Sequence, residues 1–204
     1  MSIFSATPHA RRLSTSGKVR AVLALGAVLG LGTVTTLAAW TDTNTATGTF
    51  TTGVLDLKLN DSDTPVALTN LTMTAAKPGD TTFALLTVRN AGSINFGYAY
   101  TTSSTNGSDV PALNAGLNFG VSSLGTAAFG ATPPTCGQTQ FDAGTAITAT
   151  GTKLSTNPTT AAPRALAAGQ VEFLCVRAEL PLTAVTGLQG KSTVVTMTVT
   201  ATQQ

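Results

Sequence analysis

The sequence predicts an all-β fold, a jelly-roll-like antiparallel β-sandwich that follows an N-terminal signal helix. Three observations lead to this prediction. The 204 residues are only 10% charged and are rich in Thr, a composition that favours strands. Apolar and polar residues alternate along several segments, as they do in half-buried strands. Residues 40–204 show no helical repeat and no internal sequence repeat, which favours one domain of two packed sheets.

An export signal is predicted at residues 1–39. Residues 1–20 carry four basic and no acidic residues, and residues 21–39 are uncharged and apolar. A basic region followed by an apolar one is typical of a secretory signal peptide. Ala39 is a small residue of the kind that signal peptidases require, so we expect cleavage between Ala39 and Trp40. The alternative is an uncleaved anchor, because the apolar stretch is just long enough to span a bilayer.

Two strands are predicted before the first turn. Residues 50–60 read FTTGVLDLKLN, in which Leu55, Leu57 and Leu59 alternate with polar residues. This alternation predicts a half-buried strand with one apolar face. Residues 66–74 (VALTNLTMT) are predicted to form a second strand from a poorer pattern.

A tight turn is predicted at Lys77, Pro78, Gly79 and Asp80. Proline presets φ at the second position, and glycine accepts a positive φ at the third, so the four residues predict a type II turn.

Two central strands follow this turn in the prediction. Residues 82–90 (TFALLTVRN) are apolar on both faces, as is usual for a strand covered on both sides. A short turn that contains Asn90 and Gly92 is expected to join them to a neighbouring strand at residues 94–102.

The middle of the exported part, residues 103–168, is rich in small and polar residues. It is predicted to hold long loops with short strands at residues 117–121 and 145–150. A short helix is predicted at residues 161–168, ended by Gly169.

Two further strands are predicted near the C-terminus. Residues 171–180 (VEFLCVRAEL) place Leu174 and Val176 on one face and Cys175 on the other. Residues 192–203 alternate apolar residues with Thr more regularly than any other segment, which predicts a strand with one apolar face.

Charge and histidine content exclude several function classes. Residues 40–204 keep seven basic and nine acidic residues, a net charge of −2, and the basic residues are scattered, which argues against nucleic-acid binding. The one histidine, His9, lies within the predicted signal. Histidine-dependent hydrolysis and zinc chemistry are therefore not expected of the exported part, and we predict no catalytic residues, no metal ligands and no cofactor.

The two cysteines, Cys136 and Cys175, both lie in the exported part. An oxidising compartment favours a disulfide between them. The alternatives, a metal pair or a nucleophile, lack partner residues.

An acidic cluster at Asp61 and Asp63 follows the first predicted strand. We interpret it as a solvated loop. The functional alternative is weak Ca²⁺ binding, because neighbouring oxygen ligands suit that ion.

Several segments in order resemble the TasA/camelysin family of exported matrix-fibre proteins, in an actinobacterial subgroup with a SipW-dependent type of signal. The matching segments are GTVTTLAAWTD (residues 32–42), FTTGVLDLKL (50–59), KPGD (77–80) with LLTVRNAGSINFGYAY (85–100), and LQGKST with TVTATQ near the C-terminus. Within them, Lys77, Pro78, Gly79, Asp80, Asn90 and Gly92 form the family motif.

The resemblance implies a jelly-roll subunit that is cut by a SipW-type signal peptidase and secreted into an extracellular or cell-surface matrix. There it would assemble into biofilm fibres with itself, and with possible accessory matrix proteins, by strand addition. The added strand would be residues 40–48, beginning with Trp40, Thr41 and Asp42. These residues are too polar to bury themselves, but their backbone can complete an exposed sheet edge. Membrane contact is expected only through the uncleaved signal.

Two other functions remain open at this point. One is a secreted monomeric binding or adhesion module, although Tyr98 and Tyr100, the only Trp or Tyr residues besides Trp40, are better explained by core packing. The other is a camelysin-like metallopeptidase, for which the exported part offers no His and no H-E-x-x-H helix.

Overall fold

The structure is a computed structural model that describes residues 49, 51–149 and 151–204. The chain divides into two units, Met1–Thr49 and Phe50–Gln204. Of the first unit, the structure describes Thr49 alone. No helix among the described residues combines the length and the apolar character that a membrane span needs.

The described residues of the second unit form eight strands in two antiparallel sheets, which confirms the predicted all-β sandwich. The larger sheet has the order β1 (Leu57–Leu59), β2 (Thr81–Asn90), β7 (Gln170–Glu179), β4 (Asn118–Ala128) and β5 (Thr145–Ala146). The smaller sheet has the order β6 (Arg164–Leu166), β3 (Phe96–Thr105) and β8 (Val194–Gln203). Two short helices, α1 (Leu113–Gly116) and α2 (Gln138–Ala143), lie in the connections.

The core lies between the two sheets. Side chains alternate inward and outward along each strand, and the inward apolar side chains of both sheets are almost fully buried. They include Leu86, Val88, Phe96, Tyr98, Tyr100, Phe119, Val121, Leu174 and Val176. Both tyrosines are therefore core residues, as the sequence predicted. The pairs β2–β7, β3–β6 and β4–β5 give the sandwich its jelly-roll-like topology.

A loop that carries α2 covers the outer face of the larger sheet. Cys136 in this loop forms a disulfide with Cys175 of β7, with the two Cα atoms 5.3 Å apart. Phe141 of α2 is buried and lies over the guanidinium group of Arg177, whose Cζ atom is 4.7 Å from the ring centroid. The disulfide predicted from the export context is thus present, and it fastens this loop to a central strand.

The sequence located the long strands well. Strands β2, β7 and β8 lie within two residues of their predicted bounds. At the predicted type II turn, Gly79 has a φ of +97°, and the Asp80 N–H donates to the Lys77 carbonyl at 2.9 Å.

The predicted strand at residues 66–74 was wrong. The segment is irregular around a 3₁₀ turn, Thr69–Leu71, and its apolar side chains pack against the core. It cannot join the larger sheet at β2, because β1 and β7 already occupy the two edges of β2.

The predicted helix at residues 161–168 was also wrong, because the segment contains β6. Its backbone pairs with Phe96–Tyr98 of β3, and the Arg164 side chain reaches Glu172 on β7. These tertiary contacts override the helix propensity of an Ala-rich segment.

The strands at residues 82–90 and 94–102 were expected to be neighbours, but β2 and β3 belong to different sheets. The turn between them therefore crosses from one sheet to the other. The strands predicted at residues 50–60 and 145–150 are shorter than expected, reduced to β1 and β5.

Candidate functional site

The most unusual feature of the sandwich is the outer edge of β8. On one side β8 pairs with β3 along all ten residues, and among the described residues no strand lies on its other side. Alternate N–H and C=O groups of such an edge strand are free to pair with another chain.

Natural sheet edges are usually short or carry charges that prevent pairing. The other edge strands follow this rule, since β1 and β6 have three residues each and β5 has two. In contrast, β8 reads VVTMTVTATQ, ten residues without a charge. It is the one long and regular edge among the strands that the structure describes.

An open apolar cleft lies beside this edge. Its volume is about 620 Å³, and it separates the first half of β8 from the irregular segment that was predicted as a strand. Its apolar lining includes Val66, Leu68, Leu71, Met73, Val195 and Met197. The inward side chains of β8 are only partly buried as a result, so the core is left open along this side.

The outward face of the smaller sheet is a regular array of hydroxyl groups. The β3–β8 register places Thr101 beside Thr198 and Ser103 beside Thr196. Thr200 and Thr202 continue the array along β8, and these side chains are exposed. The face is therefore polar but uncharged.

The residues predicted for signal cleavage and assembly, Ala39, Trp40, Thr41 and Asp42, lie outside the described residues.

The KPGD motif forms a turn that is docked against the end of β7. The Gly79 N–H donates to the Leu180 carbonyl at 2.6 Å, and the Leu180 N–H donates to the Asp80 carbonyl at 2.9 Å. The Asp80 carboxylate accepts the Lys77 N–H at 2.8 Å. Proline and glycine shape this turn, and it holds β2 and β7 in register.

Asn90 and Gly92 shape the crossing between the sheets. The buried Asn90 carboxamide donates to the carbonyls of Ile94 at 2.8 Å and Leu166 at 3.0 Å, and it accepts the Gly92 N–H at 3.0 Å. A Cβ atom on Gly92 would lie 2.2 Å from the Val54 carbonyl oxygen. Both motif residues therefore have a structural role in the described part of the chain.

A buried polar cluster around Glu172 was not found by sequence reasoning. The Glu172 side chain is 1% exposed, and its carboxylate accepts hydrogen bonds from Tyr98 Oη at 2.7 Å, Ser123 Oγ at 2.5 Å and Arg164 Nε at 3.0 Å. Burial, followed by the charge of Glu172, raises the pKa of Tyr98. The hydrogen bond to Glu172 raises the pKa of Arg164.

These partners satisfy the carboxylate from both sheets, so the cluster links the sandwich. The only signal in the sequence was a single acidic residue inside the apolar run VEFLCV.

The acidic loop lies at the surface next to β1. The Asp61 carboxylate pairs with Arg89 at 2.7 Å, and the Asp63 carboxylate pairs with Lys58 at 2.7 Å. The hydrogen bond to Asp63 raises the pKa of Lys58. Because each carboxylate already faces a basic partner, the two do not converge on a shared cation position.

No group of three or more His, Cys, Asp or Glu side chains comes together within the described ranges. The cysteines are joined in the disulfide, and Asp109, Glu172 and Glu179 each pair with a Lys or Arg. The Ser192 N–H and then Lys191 lower the pKa of Asp109. This donor set does not fit a catalytic metal ion.

The fold and the edge together define a β-sandwich protein with an open strand edge and an uncharged polar face. The family model described as camelysin metallo-endopeptidase matches residues 11–123, more than half of the chain. The protein therefore belongs to the TasA/camelysin family, as its motifs indicated. A comparison with curated proteins finds no significant match.

Proposed function

We propose that the protein is a secreted structural subunit of extracellular matrix fibres, assembled by strand addition between subunits after signal-peptide cleavage. The observation that carries this proposal is the long, uncharged edge of β8 beside an open apolar cleft. An edge of this kind is a template for pairing with another chain. Membership of the TasA/camelysin family supports the proposal at the level of the family.

The proposed donor is the segment of residues 40–48 from a second copy of the chain. Its sequence, WTDTNTATG, is nearly uncharged and has Thr at every second position. Nine extended residues span about 30 Å, which suits an edge of ten residues.

The Thr residues of the donor match the outward face of the smaller sheet. If Thr41 and Thr43 point outward, they extend the hydroxyl array of Thr196 and Thr198 by one strand. Trp40, Asp42, Asn44 and Ala46 then point inward, because successive side chains point to opposite faces. Of these, Trp40 is the side chain that suits the apolar cleft. A tryptophan in the cleft would bury a large apolar surface, so Trp40 would anchor the strand.

The topology supports the proposal that a strand can be added beside β8. In a jelly roll, Greek-key connections return the last strand to the side of the first. Here β1 pairs with β2 instead, and β8 has no described neighbour on its outer side. A strand from a second copy would restore the missing pairing.

Processing would control assembly in this proposal. Residues 40–48 directly follow the predicted signal, so a SipW-type peptidase that cuts after Ala39 would free them. Until then the membrane-held signal would tether the donor, and this would be the only membrane contact of the chain. The product would be an extracellular or cell-surface matrix, to which accessory matrix proteins could also bind.

The test compares two forms of the protein by negative-stain electron microscopy and sedimentation. The form that begins at Trp40 is expected to form filaments, and the uncleaved precursor in detergent is not. Deleting residues 40–48 should abolish the filaments, and a synthetic peptide of these residues, added in excess, should shorten wild-type filaments. Filaments of the deletion variant would contradict the proposal.

The acceptor edge has its own matched pair of variants. Val195→Lys places a charge in the cleft that would receive Trp40 and should prevent assembly, while Thr145→Lys places the same charge on the short edge strand β5 and should not. Circular dichroism and disulfide formation confirm that both variants are folded. Equal assembly by both would exclude β8 as the acceptor.

The printed description of the family favours one alternative, a metallo-endopeptidase. The described carboxylates and cysteines do not form a metal site, so we propose a non-enzymatic role. Metal analysis and a peptidase assay on the purified protein separate the two functions. One tightly bound zinc per chain together with metal-dependent cleavage would support the enzyme. A monomer under all conditions would instead favour a binding or adhesion module.

A further inference from the structure

Three polar side chains occupy neighbouring positions at one end of the larger sheet. Asn118 is the first residue of β4, and its partner on β7 is Glu179. On its other side Asn118 forms an isolated antiparallel bridge with Lys153. Directly opposed residues on neighbouring strands project to the same face, so Lys153 and Glu179 flank Asn118 on one face of the sheet.

Backbone hydrogen bonds fix the opposition of Lys153 and Asn118. The Phe119 N–H donates to the Thr152 carbonyl at 2.8 Å, and the Leu154 N–H donates to the Leu117 carbonyl at 3.0 Å. These bonds flank the pair, which is therefore a non-hydrogen-bonded pair, the type in which side chains approach most closely.

The amine and the carboxamide are in direct contact. Lys153 Nζ lies 2.8 Å from Asn118 Oδ1 and 3.2 Å from the Gly116 carbonyl oxygen. The carbonyl carbon of Asn118 is about 1.2 Å from Oδ1, which places Nζ within about 4 Å of that carbon. Both contacts are partly buried. Such a fixed approach favours an intramolecular reaction.

We propose that Lys153 and Asn118 form an intramolecular isopeptide bond, with Glu179 as the proton carrier. The Glu179 carboxylate is kept in place by Arg177 at 3.2 Å. In the structure its ion-pair partner is Arg177 and not Lys153, so it would turn across Asn118 to take a proton from the Lys153 ammonium group. The neutral Nζ would then attack the Cγ atom of Asn118.

The reaction balances without an oxidant or a reductant. The Nζ–Cγ bond forms and the Cγ–Nδ2 bond breaks. Nζ gives up a second proton as it becomes an amide nitrogen, and this proton and the one held by Glu179 both pass to the departing nitrogen. One ammonium group and one carboxamide become one secondary amide and one free ammonium ion. The chain loses one positive charge and the mass of ammonia, about 17 Da.

The bond would close a covalent loop from Asn118 to Lys153. The disulfide joins Cys136, inside this loop, to Cys175, outside it, so the two cross-links would interlock. This arrangement would hold β4 in the sheet even under reducing conditions, a useful property for a protein exposed outside the cell.

Mass spectrometry of the full chain tests the proposal. Trypsin normally cuts after Arg89, Lys153 and Arg164, which gives the peptides 90–153 and 154–164 after reduction. An acylated Lys153 resists trypsin, so the cross-linked protein should give one peptide, 90–164, lighter by about 17 Da than the uncut sequence. The missing cut separates the isopeptide from a succinimide at Asn106-Gly107, which also releases ammonia but leaves Lys153 cleavable.

Two variants complete the test. Asn118→Ala keeps Lys153 but removes its acceptor, so normal cleavage after Lys153 should return. Glu179→Gln keeps the shape of the site and should reduce the cross-linked fraction at least tenfold. Wild-type protein that is folded, with its disulfide formed, and is fully cut after Lys153 would overturn the proposal. Equal cross-linking of the Glu179→Gln variant would overturn the role of Glu179.

Discussion

The Tyr98 hydroxyl donates a 2.7 Å hydrogen bond to the Glu172 carboxylate across the core of the sandwich. Tyr98 lies on β3 and Glu172 on β7, so this bond joins the smaller sheet to the larger one. Both side chains are almost fully buried. Buried hydrogen bonds to a charged group contribute more to stability than those between neutral groups.

Tyr98→Phe should therefore lower the free energy of unfolding by about 1.5–3 kcal/mol, because it removes a charge-assisted hydrogen bond without opening a large cavity. Urea denaturation followed by circular dichroism measures the change. Thr198→Val, on the exposed face of β8, is the control and should change stability by less than about 0.5 kcal/mol. Equal effects of the two variants would show that the bond between the sheets contributes little.

Stability should fall at alkaline pH. Burial raises the pKa of both Tyr98 and Tyr100 in the folded protein, while an unfolded tyrosine titrates near pH 10. A raised pKa in the folded state means that stability is fully present below the unfolded pKa and is lost as the pH rises above it. Each tyrosine contributes a slope of up to about 1.4 kcal/mol per pH unit.

Urea denaturation between pH 8 and pH 11 measures this slope. The Tyr98→Phe variant should show a clearly smaller loss than the wild type over the same interval. A loss that is identical in both proteins would show that Tyr98 does not contribute to it.

Removal of the disulfide should destabilise the protein by about 4 kcal/mol, the value expected for closing a loop of this length in the unfolded chain. Cys136 and Cys175 are 39 residues apart. Thermal unfolding compares the double variant Cys136→Ser with Cys175→Ala with the wild type. Unfolding of the wild type in the presence of a reducing agent is a second way to measure the protein without its disulfide. No effect of reduction on wild-type unfolding would contradict the expectation.

Gly92→Ala should loosen the segment before β1. The new Cβ atom would lie 2.2 Å from the Val54 carbonyl oxygen and 2.9 Å from the Asp56 nitrogen, so the backbone must move, at about 1–3 kcal/mol. Hydrogen exchange should become faster at Ala91 and Ser93, whose N–H groups bond to Asp56 and Val54.

The control for this variant is Gly137→Ala, where the added Cβ would meet only the end of the Gln140 side chain, at 3.3 Å. Its exchange at Ala91 and Ser93 should equal that of the wild type. Unchanged exchange in Gly92→Ala would mean that the close approach of Gly92 to Val54 is not needed to hold the segment before β1.

The long strands could be predicted because their signal is local. In β8, Val195, Met197, Val199 and Ala201 are each followed by Thr, and β7 is a mostly apolar run that is buried on both faces. The segment around Arg164 could not be predicted in this way, because its strand depends on pairing with β3 and on an ion pair with Glu172. The assignment of β2 and β3 to different sheets is also a property of the whole topology.

The candidate site shows the same division. The regular pattern of β8 is local, and the sequence predicted it. The donor segment was also proposed from a local pattern, and it lies outside the described residues. It did not identify β8 as the open edge, because this requires knowing that β1 pairs with β2. The cleft is formed by Val66 and Met73 facing Val195 and Met197, residues far apart in the chain, and no local pattern predicts it.

The ten-residue pairing of β8 with β3 also has a mechanical consequence. A force directed along the strands would act on the whole ladder at once, so many hydrogen bonds would have to break together. A force across the strands would open them one after another. If neighbouring subunits are joined along β8, tension in the fibre loads this ladder in its resistant direction, and the subunit would bear stretching far better than peeling.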